Sequence, residues 1–384
     1  MSARVFLYVQ HLLGIGHLKR AAGLARAMAE AGLEVTLASG GPPAPQVDVR
    51  GARLVQLPPA SAADLGFRTL LDDAGRPVDE AWKARRRDAL LGAWRASRAD
   101  VVLLELFPFG RRQMRFELLP LLEAIAAAPR SPLVASSVRD ILGGAKSAER
   151  QQEAVDLALR HFDRVLVHGD PRVVRFEETF PPAARLGERL HYTGYVVEPV
   201  ADAGSDGEGE VLVSAGGGAV GAGLIAAALQ AKPRTSLRDR TWRVLTGHNL
   251  PEEDFARFAS LAAGMPGVLL ERSRTDFAAR LGRCALSISQ AGYNTLLETV
   301  QARAKAVVVP FAAGHETEQA LRARRFAERG LVEVVEERAL DADALARAVD
   351  RAAARARPSP GGIDLDGARN SARLVARWAA ERAA

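Results

Sequence analysis

The sequence predicts an α/β fold built from two parallel-sheet domains. Three observations carry that expectation. Short apolar, β-branched runs alternate with helix-length stretches almost throughout, which is the pattern of βαβ units and of parallel sheets covered on both faces. A polar, glycine-rich, acidic stretch at 198–210 (EPVADAGSDGEGE) interrupts the alternation, which restarts at Val211. The chain is also 384 residues long, more than a single hydrophobic core usually organises. The expected division is an N-terminal domain over 1–197, a linker over 198–210, a C-terminal domain over 211–362 and a terminal helix over 363–384 packing back on the N-terminal domain.

Taken in order, residues 5–9 read as a strand, 11–16 as a loop with two glycines, and 17–31 as a helix stopped by Gly32, a residue suited to the position after a helix end. A strand at 34–38 runs into Gly40-Gly41. Residues 42–81 are proline-rich and irregular, with a short strand near 54–57. A basic helix at 80–97, a strand at 101–106, a helix at 113–128, a strand at 133–137, a helix at 147–161 and a strand at 165–167 continue the alternation. The second half repeats it: strand 211–215, a glycine loop, helix 221–231, strand 242–246, helix 252–262, strand 268–270 and helix 274–282. Then come a strand with Leu286 and Ile288, a helix carrying Glu298, a strand at 307–309 and a loop with Gly314 and His315. The helix after that loop carries Glu316, Glu318 and Gln319. Residues 341–356 and 364–383 read as two final Ala/Arg-rich helices.

Composition excludes several classes. Hydrophobic content of 48% and charged content of 26% are those of a globular protein, and no apolar run has the roughly 18 residues of a membrane span. The N-terminal apolar run flows into a strand–turn–helix pattern without a small-residue cleavage site, so it reads as a core strand and not a signal peptide. The single Cys284 rules out an internal disulfide framework and fits a reducing cytoplasm. The net charge of +6 is mild for the length and aromatics are only 5%, unlike a nucleic-acid binder with its charge gathered around aromatic platforms. Two basic clusters, Trp82-Lys83-Ala84-Arg85-Arg86-Arg87 and Arg111-Arg112, read as solvated helix faces. The alternative is peripheral docking to anionic lipid at the inner membrane face, or to an acidic acceptor.

Three turns concentrate the polar groups that could do chemistry. The first contains Gly14-Ile15-Gly16-His17. Glycine lets a backbone approach a ligand closely, and a histidine opening a helix titrates near neutrality; the alternative for His17 is a polar residue in a first helical turn. A dinucleotide fingerprint is excluded, because position 19 is lysine and no acidic residue closes the second strand. The second turn, Ser214-Ala215-Gly216-Gly217-Gly218-Ala219, offers free backbone amides before a helix, suited to a diphosphate. No Gly-Lys-Ser/Thr follows, so it is no Walker loop; a merely tight turn is the alternative. The third region, 285–323, places Ser289, Gln290, Ala291 and Gly292 before the Glu298 helix, with His315, Glu318 and Gln319 in the next loop. Ligands bind at such strand C-terminal ends in open α/β sheets; ordinary helix capping is the alternative.

Together these motifs resemble a known family. The GxGH turn, the glycine-rich loop opening the second sheet, and AGxxTLLE followed by VPF and a loop with EQ are similar to GT-B glycosyltransferases, in particular the group around the bacterial undecaprenyl-diphospho-muramoylpentapeptide N-acetylglucosaminyltransferase. The resemblance implies two Rossmann-like parallel-sheet domains facing a cleft. It implies an inverting transfer from a nucleotide-sugar, a UDP-sugar such as UDP-GlcNAc, to a small-molecule or lipid-linked acceptor, without cofactor or nucleic-acid partner. Glu298 would then hold the ribose hydroxyls, Ser289 to Gly292 the diphosphate, Gln319 and Glu318 the sugar, and the main chain at Arg274 the base. No DxD-like pair closes a suitable strand, and Asp72-Asp73 lies in the irregular loop, so no obligatory metal is expected. His17 is the expected general base. Glu105 and Asp140 are the carboxylate candidates, Asp140 within Ser137-Val138-Arg139-Asp140. The loops carrying Glu105 and Arg139 depart from the family's pattern, which leaves the acceptor unidentified. A UDP-sugar hydrolase, using water as acceptor, and a non-catalytic nucleotide-sugar binder are the rival readings.

Overall fold

The structure is a computed structural model describing residues 2–63, 69–143, 147–198, 206–217, 221–312 and 317–383. These divide into two compact units. Residues 2–142, 147–197 and 364–383 form the N-terminal unit; the remainder of the described chain forms the C-terminal unit.

The N-terminal unit is organised by β1 (Arg4–Val9), whose alternate residues serve opposite faces of the sheet. Val5, Leu7 and Val9 face a core with Leu18, Leu24 and Met28 of α1 (Gly16–Glu30). Phe6 and Tyr8 face the layer formed by α2 (Glu80–Ser97) and α3 (Arg115–Ala126). Around β1 lie β2 (Glu34–Ser39), β3 (Ala52–Gln56), β6 (Val101–Glu105), β7 (Leu133–Arg139), β8 (Arg164–His168) and β9 (Leu190–Tyr192). The order is β3-β2-β1-β6-β7-β8-β9, every pairing parallel. Helix α4 (Ala148–His161) is capped by Ser147, and α5 (Phe176–Thr179) is a single turn. Two further short strands, β4 (Ser61–Ala62) and β5 (Leu70–Leu71), pair within the irregular stretch.

The basic helix α2 is not a fully solvated face, as the sequence reading had it. Arg86 is completely buried. It donates to Glu117 (2.8 Å), Gln10 Oε1 (2.7 Å) and the Gly40 carbonyl (2.9 Å), while Tyr8 donates its hydroxyl to Glu117 (2.5 Å). Gly40 is required by this packing: a Cβ there would stand 2.1 Å from Arg86 Nη2.

The chain returns to this unit at its end. Helix α12 (Gly367–Ala383) lays Ala372, Val375 and Trp378 against the α1 side of β1. Its start is fixed by Gly367 N donating to the Tyr195 carbonyl (2.9 Å) and Asn370 Nδ2 donating to the Thr193 carbonyl (2.9 Å).

The C-terminal unit has β10 (Val211–Ser214), β11 (Trp242–Leu245), β12 (Val268–Glu271), β13 (Leu286–Gln290), β14 (Ala306–Val309) and β15 (Glu333–Val334). They are ordered β12-β11-β10-β13-β14-β15, again all parallel. Helices α6 (Ala222–Ala231) and α11 (Ala342–Ala354) cover one face through Leu224, Ile225, Leu345 and Val349. The remaining helices are α7 (Glu252–Ala263), α8 (Phe277–Leu281), α9 (Tyr293–Gln301) and α10 (Glu318–Ala327).

The end of the expected linker is built into this unit. Glu210 accepts from Arg243 (2.8 and 2.9 Å) and from the fully buried Arg280 (3.2 Å), which also binds Asp206 and donates to Asp276 (2.9 Å). Helix α8 starts later than the expected 274 because Arg274 and Asp276 form part of the same network (2.7 Å).

Candidate active site

In each sheet the strand order reverses once: between β1 and β6 in the N-terminal unit, and between β10 and β13 in the C-terminal unit. At such a switch the loops leaving neighbouring strands diverge and open a crevice at the strand C-terminal ends. Gly14, Gly16, His17 and Glu105 fall at the first of these points, and Gly216, Gly217 and Ser289 to Gly292 at the second.

In the N-terminal unit the loop after β1 leads into α1, whose second residue is His17; β6 ends on Glu105. His17 Nδ1 and Glu105 Oε1 are 2.7 Å apart. An ionised carboxylate only accepts, so Nδ1 carries the ring hydrogen and Nε2 keeps its lone pair. Glu105 is completely buried, and the same oxygen accepts from Arg20, whose side chain is 2% exposed. Burial alone would push the Glu105 carboxyl up; His17, Arg20 and Arg111 more than reverse this and hold it below the ordinary carboxylate range. Burial pulls the His17 imidazole down, and Arg111 and Arg139 add to that against the opposing charge of Glu105, so the ring is neutral at pH 7. The α1 dipole acts in the same direction. The His17 side chain retains 20% exposure. A neutral imidazole oriented by a buried carboxylate, with one nitrogen free to accept, has the arrangement that general-base catalysis requires.

Asp140 is not part of this pair. It is completely buried, and its Oδ1 accepts from the Ile141 amide (2.9 Å). Arg139 ends β7 and reaches His17 through its charge. His168, at the end of β8, has both ring nitrogens engaged, by Ser137 Oγ (2.7 Å) and Thr193 Oγ1 (2.9 Å). Burial lowers its pKa to about 3; it is a structural histidine. Gly16 opens α1, and a Cβ at the exposed Gly14 would meet nothing within 4 Å.

In the C-terminal unit Gly216 takes φ +64°, a left-handed conformation glycine accepts readily, and its amide donates to Ser214 Oγ (3.3 Å). Gly216 faces the turn after β13: Gln290 Oε1 lies 3.7 Å from where its Cβ would be, and Gly217 is equally exposed beside it. Gly292 precedes α9, which has no side-chain cap. Unlike Gly216, Gly292 has an ordinary φ of −59°, and a Cβ there would meet nothing within 4 Å. Neither backbone nor neighbours require glycine at that point, which leaves room for a ligand at the helix start.

Behind this turn, Ala291 is buried and Ser289 is completely buried, its hydroxyl turned away from solvent. Glu298 lies on α9 at 8% exposure. A cavity of about 180 Å³ adjoins the turn, bounded by Gln290, Gly223, Val309 and Glu337.

Around the next loop, Gln319 Oε1 accepts from the Phe311 amide (3.1 Å). Glu318 is buried and accepts from Arg322 (2.9 Å), whose guanidinium stands 5.0 Å from the Tyr293 ring centre. Glu318 therefore ties α10 to the start of α9. The Arg274 side chain is committed to Asp276 (2.7 and 3.1 Å) and Glu271 (3.2 Å). Gly218 and His315 lie outside the described residues. Among the described residues no group of His, Cys, Asp and Glu is arranged to hold a metal ion, and Asp72 accepts from Arg76 and two local amides as a turn residue.

Comparison with known proteins decides the class. Residues 212–358 match the glycosyltransferase family 28 C-terminal domain. The calicheamicin glycosyltransferase CalG4 superposes with a TM-score of 0.60 at 18% identity, covering 100% of this chain and 95% of its own. MurG of Acinetobacter baumannii gives 0.58 at 13% identity, with 98% and 99% covered. SnogD, a glycosyltransferase from Streptomyces nogalater, gives 0.57 at 19% identity, with 98% and 99% covered. Residues 212–358 thus carry a glycosyltransferase family 28 C-terminal domain, and the chain as a whole has the GT-B fold of these neighbours, MurG among them. No curated protein matches it in sequence.

Two groups near the His17–Glu105 pair escaped the sequence reading. Arg20 stands three residues after His17, on the same side of one helix, a spacing visible in the sequence. Arg111, read there only as surface charge, is drawn towards Glu105 by the fold.

Proposed function

We propose that this glycosyltransferase moves a sugar from a UDP-sugar, such as UDP-GlcNAc, to an acceptor hydroxyl with inversion at the anomeric carbon and no obligatory metal. His17 Nε2 takes the hydroxyl proton as the acceptor oxygen bonds to the anomeric carbon. The bond from that carbon to the diphosphate oxygen breaks, and the nucleoside diphosphate leaves with the electron pair. Glu105, a positioning residue, keeps the hydrogen on Nδ1 and balances the imidazolium that forms. The observation that carries this reading is the 2.7 Å His17–Glu105 contact beside the buried Arg20. The start of α9, which has no side-chain cap, and the Gly217 backbone beside it suit a departing diphosphate, with Glu298 on the ribose and Gln319 on the sugar. The acceptor is a small-molecule or lipid-linked hydroxyl. No helix among the described residues is long and apolar enough to cross a membrane.

The test measures UDP and free sugar released with and without candidate hydroxyl acceptors, in the presence of EDTA. Acceptor-dependent UDP release, with a β-linked product from an α-linked donor, is expected. Equimolar free sugar regardless of acceptor would make the enzyme a hydrolase. Retained configuration, or loss of all activity in EDTA, would contradict the mechanism.

A further inference from the structure

The ion pair behind the end of β1 has a shape that stability alone does not explain. All five N–H groups of Arg86 are engaged. Nε and Nη2 donate to Glu117 (2.8 and 3.1 Å), and Nη2 also donates to Gln10 Oε1 (2.7 Å). Nη1 donates to the Gly40 carbonyl (2.9 Å) and to the Pro58 carbonyl. Gln10 in turn donates both amide hydrogens, to the carbonyls of His11 (2.8 Å) and Ala60 (3.0 Å). Arg86, Gln10 and Glu117 are all completely buried.

A buried ion pair adds little stability over apolar side chains of the same volume, because taking two charges out of water offsets most of their attraction. What such a pair can add is a fixed geometry. Here the bonds converge on the chain leaving β1, β2 and β3, at the same end of the sheet as His17 and Glu105.

The segment held in this way leads to His17. Gln10 is the first residue after β1. His11 donates from Nε2 to the Pro42 carbonyl (3.0 Å), and the Leu12 carbonyl accepts from the Ala62 amide (3.1 Å). From there the loop turns to solvent: Leu13 is 43% exposed, and Gly14 is exposed beside it. Residues 10–12 are therefore the anchored end of the loop, and α1 begins at Gly16 with His17 as its second residue. The His17 ring must then meet, at 2.7 Å, a carboxylate carried by a different strand.

We propose that Arg86 and Gln10 are positioning residues for the transfer. They hold the turn that sets the His17 ring against Glu105, and with it the direction of Nε2 towards the acceptor hydroxyl. This rests on His17 being the base. Both side chains are buried away from the reacting atoms and act only through the loop. Misplacing a reacting group by about 1 Å lowers a rate by up to about 10²-fold.

The experiment labels the full chain with ¹⁵N-histidine and follows the Nδ1–H signal of His17, assigned by its loss in His17→Ala. Arg86→Met combined with Glu117→Leu removes the two charges together. Gln10→Met removes the link to the loop, Gln10→Glu keeps the acceptor for Arg86, and the exposed Arg85→Gln is the control. The signal of His168, bonded through both ring nitrogens, reports the rest of the sheet in the same spectra. The His17 signal should move upfield or broaden in the double variant and in Gln10→Met, less in Gln10→Glu and not in Arg85→Gln, with His168 unmoved in all four. UDP release from UDP-GlcNAc to water, without added acceptor, should fall about ten- to a hundredfold in the first two, with calorimetric UDP affinity equal to wild type. Should the double variant fail to fold, Gln10→Met decides. An unmoved His17 signal in the folded variants would overturn the proposal, as would full UDP release with a displaced signal. Equal movement of His168 would overturn it too, by making the ion pair a general brace of the unit. If His17→Ala keeps its UDP release, the base assignment falls, and the His17 signal still decides whether Arg86 and Gln10 hold the ring.

Discussion

Replacing Glu105 by glutamine tests the base pair while preserving its shape. The carboxylate accepts from His17 and Arg20 on the same oxygen. An amide places a single uncharged oxygen there, which still accepts from both but no longer balances the imidazolium that forms when His17 Nε2 takes the acceptor's proton, and its nitrogen falls where Glu105 Oε2 is buried without a partner. Loss of a general base lowers turnover by about 10²–10⁴-fold, or about 3–5 kcal/mol on the barrier. Arg20 also loses its counter-charge at 2% side-chain exposure, for which a fall in stability of about 1–3 kcal/mol is expected. The assay is UDP release at saturating donor, with UDP affinity by calorimetry and urea unfolding on the same samples. Turnover should collapse with UDP affinity intact, and Glu105→Gln combined with His17→Ala should be no slower than His17→Ala alone, since the two act as one unit. Retention of more than a tenth of the turnover, or fully additive losses, would refute the reasoning.

Gly292→Val should fold normally, because φ is −59° and the space is open. It should weaken UDP binding at least tenfold, as should Glu298→Ala; calorimetry showing wild-type affinity in both would remove the donor assignment. Glu117→Ala strands Arg86 as an unpaired charge with no exposure, and urea unfolding should show a loss of about 3–5 kcal/mol. Burial holds His168 at about 3 and lowers His17 from 6.5. The unfolded chain therefore takes up protons near pH 6.5 while the native one does not. Stability is complete above that pH and falls below it, by up to about 1.4 kcal/mol per pH unit for each histidine. Unfolding midpoints at pH 7 and 5.5 should differ less in His168→Gln than in wild type; an identical difference in both would contradict this.

The fold was legible because parallel strands buried on both faces are written as unbroken apolar runs, such as VFLYV at β1 and AVVV at β14. Strands β9 and β15, with three and two residues, fall below that signal. His17 was legible from the glycines before it, and Glu105 from its place at a strand end. Burial of charge was not. Lys83, Arg85, Arg86 and Arg87 look alike in sequence, yet only a partner more than thirty residues away, Glu117, shows that Arg86 points inward. Asp206 and Glu210 read as solvated linker for the same reason: Arg280 and Arg243 reach them only after the sheet has formed. Arg111 sits in a basic pair, and only the pairing of Arg112 with Glu153 separates their roles.

The most direct measurement is turnover and UDP affinity of His17→Ala on one preparation. The account predicts a hundredfold or greater loss of UDP release from a UDP-sugar with an acceptor present, and calorimetric UDP affinity equal to wild type. Full turnover in His17→Ala, together with collapse in Asp140→Asn, would contradict it and transfer the role of base to the carboxylate at the end of β7.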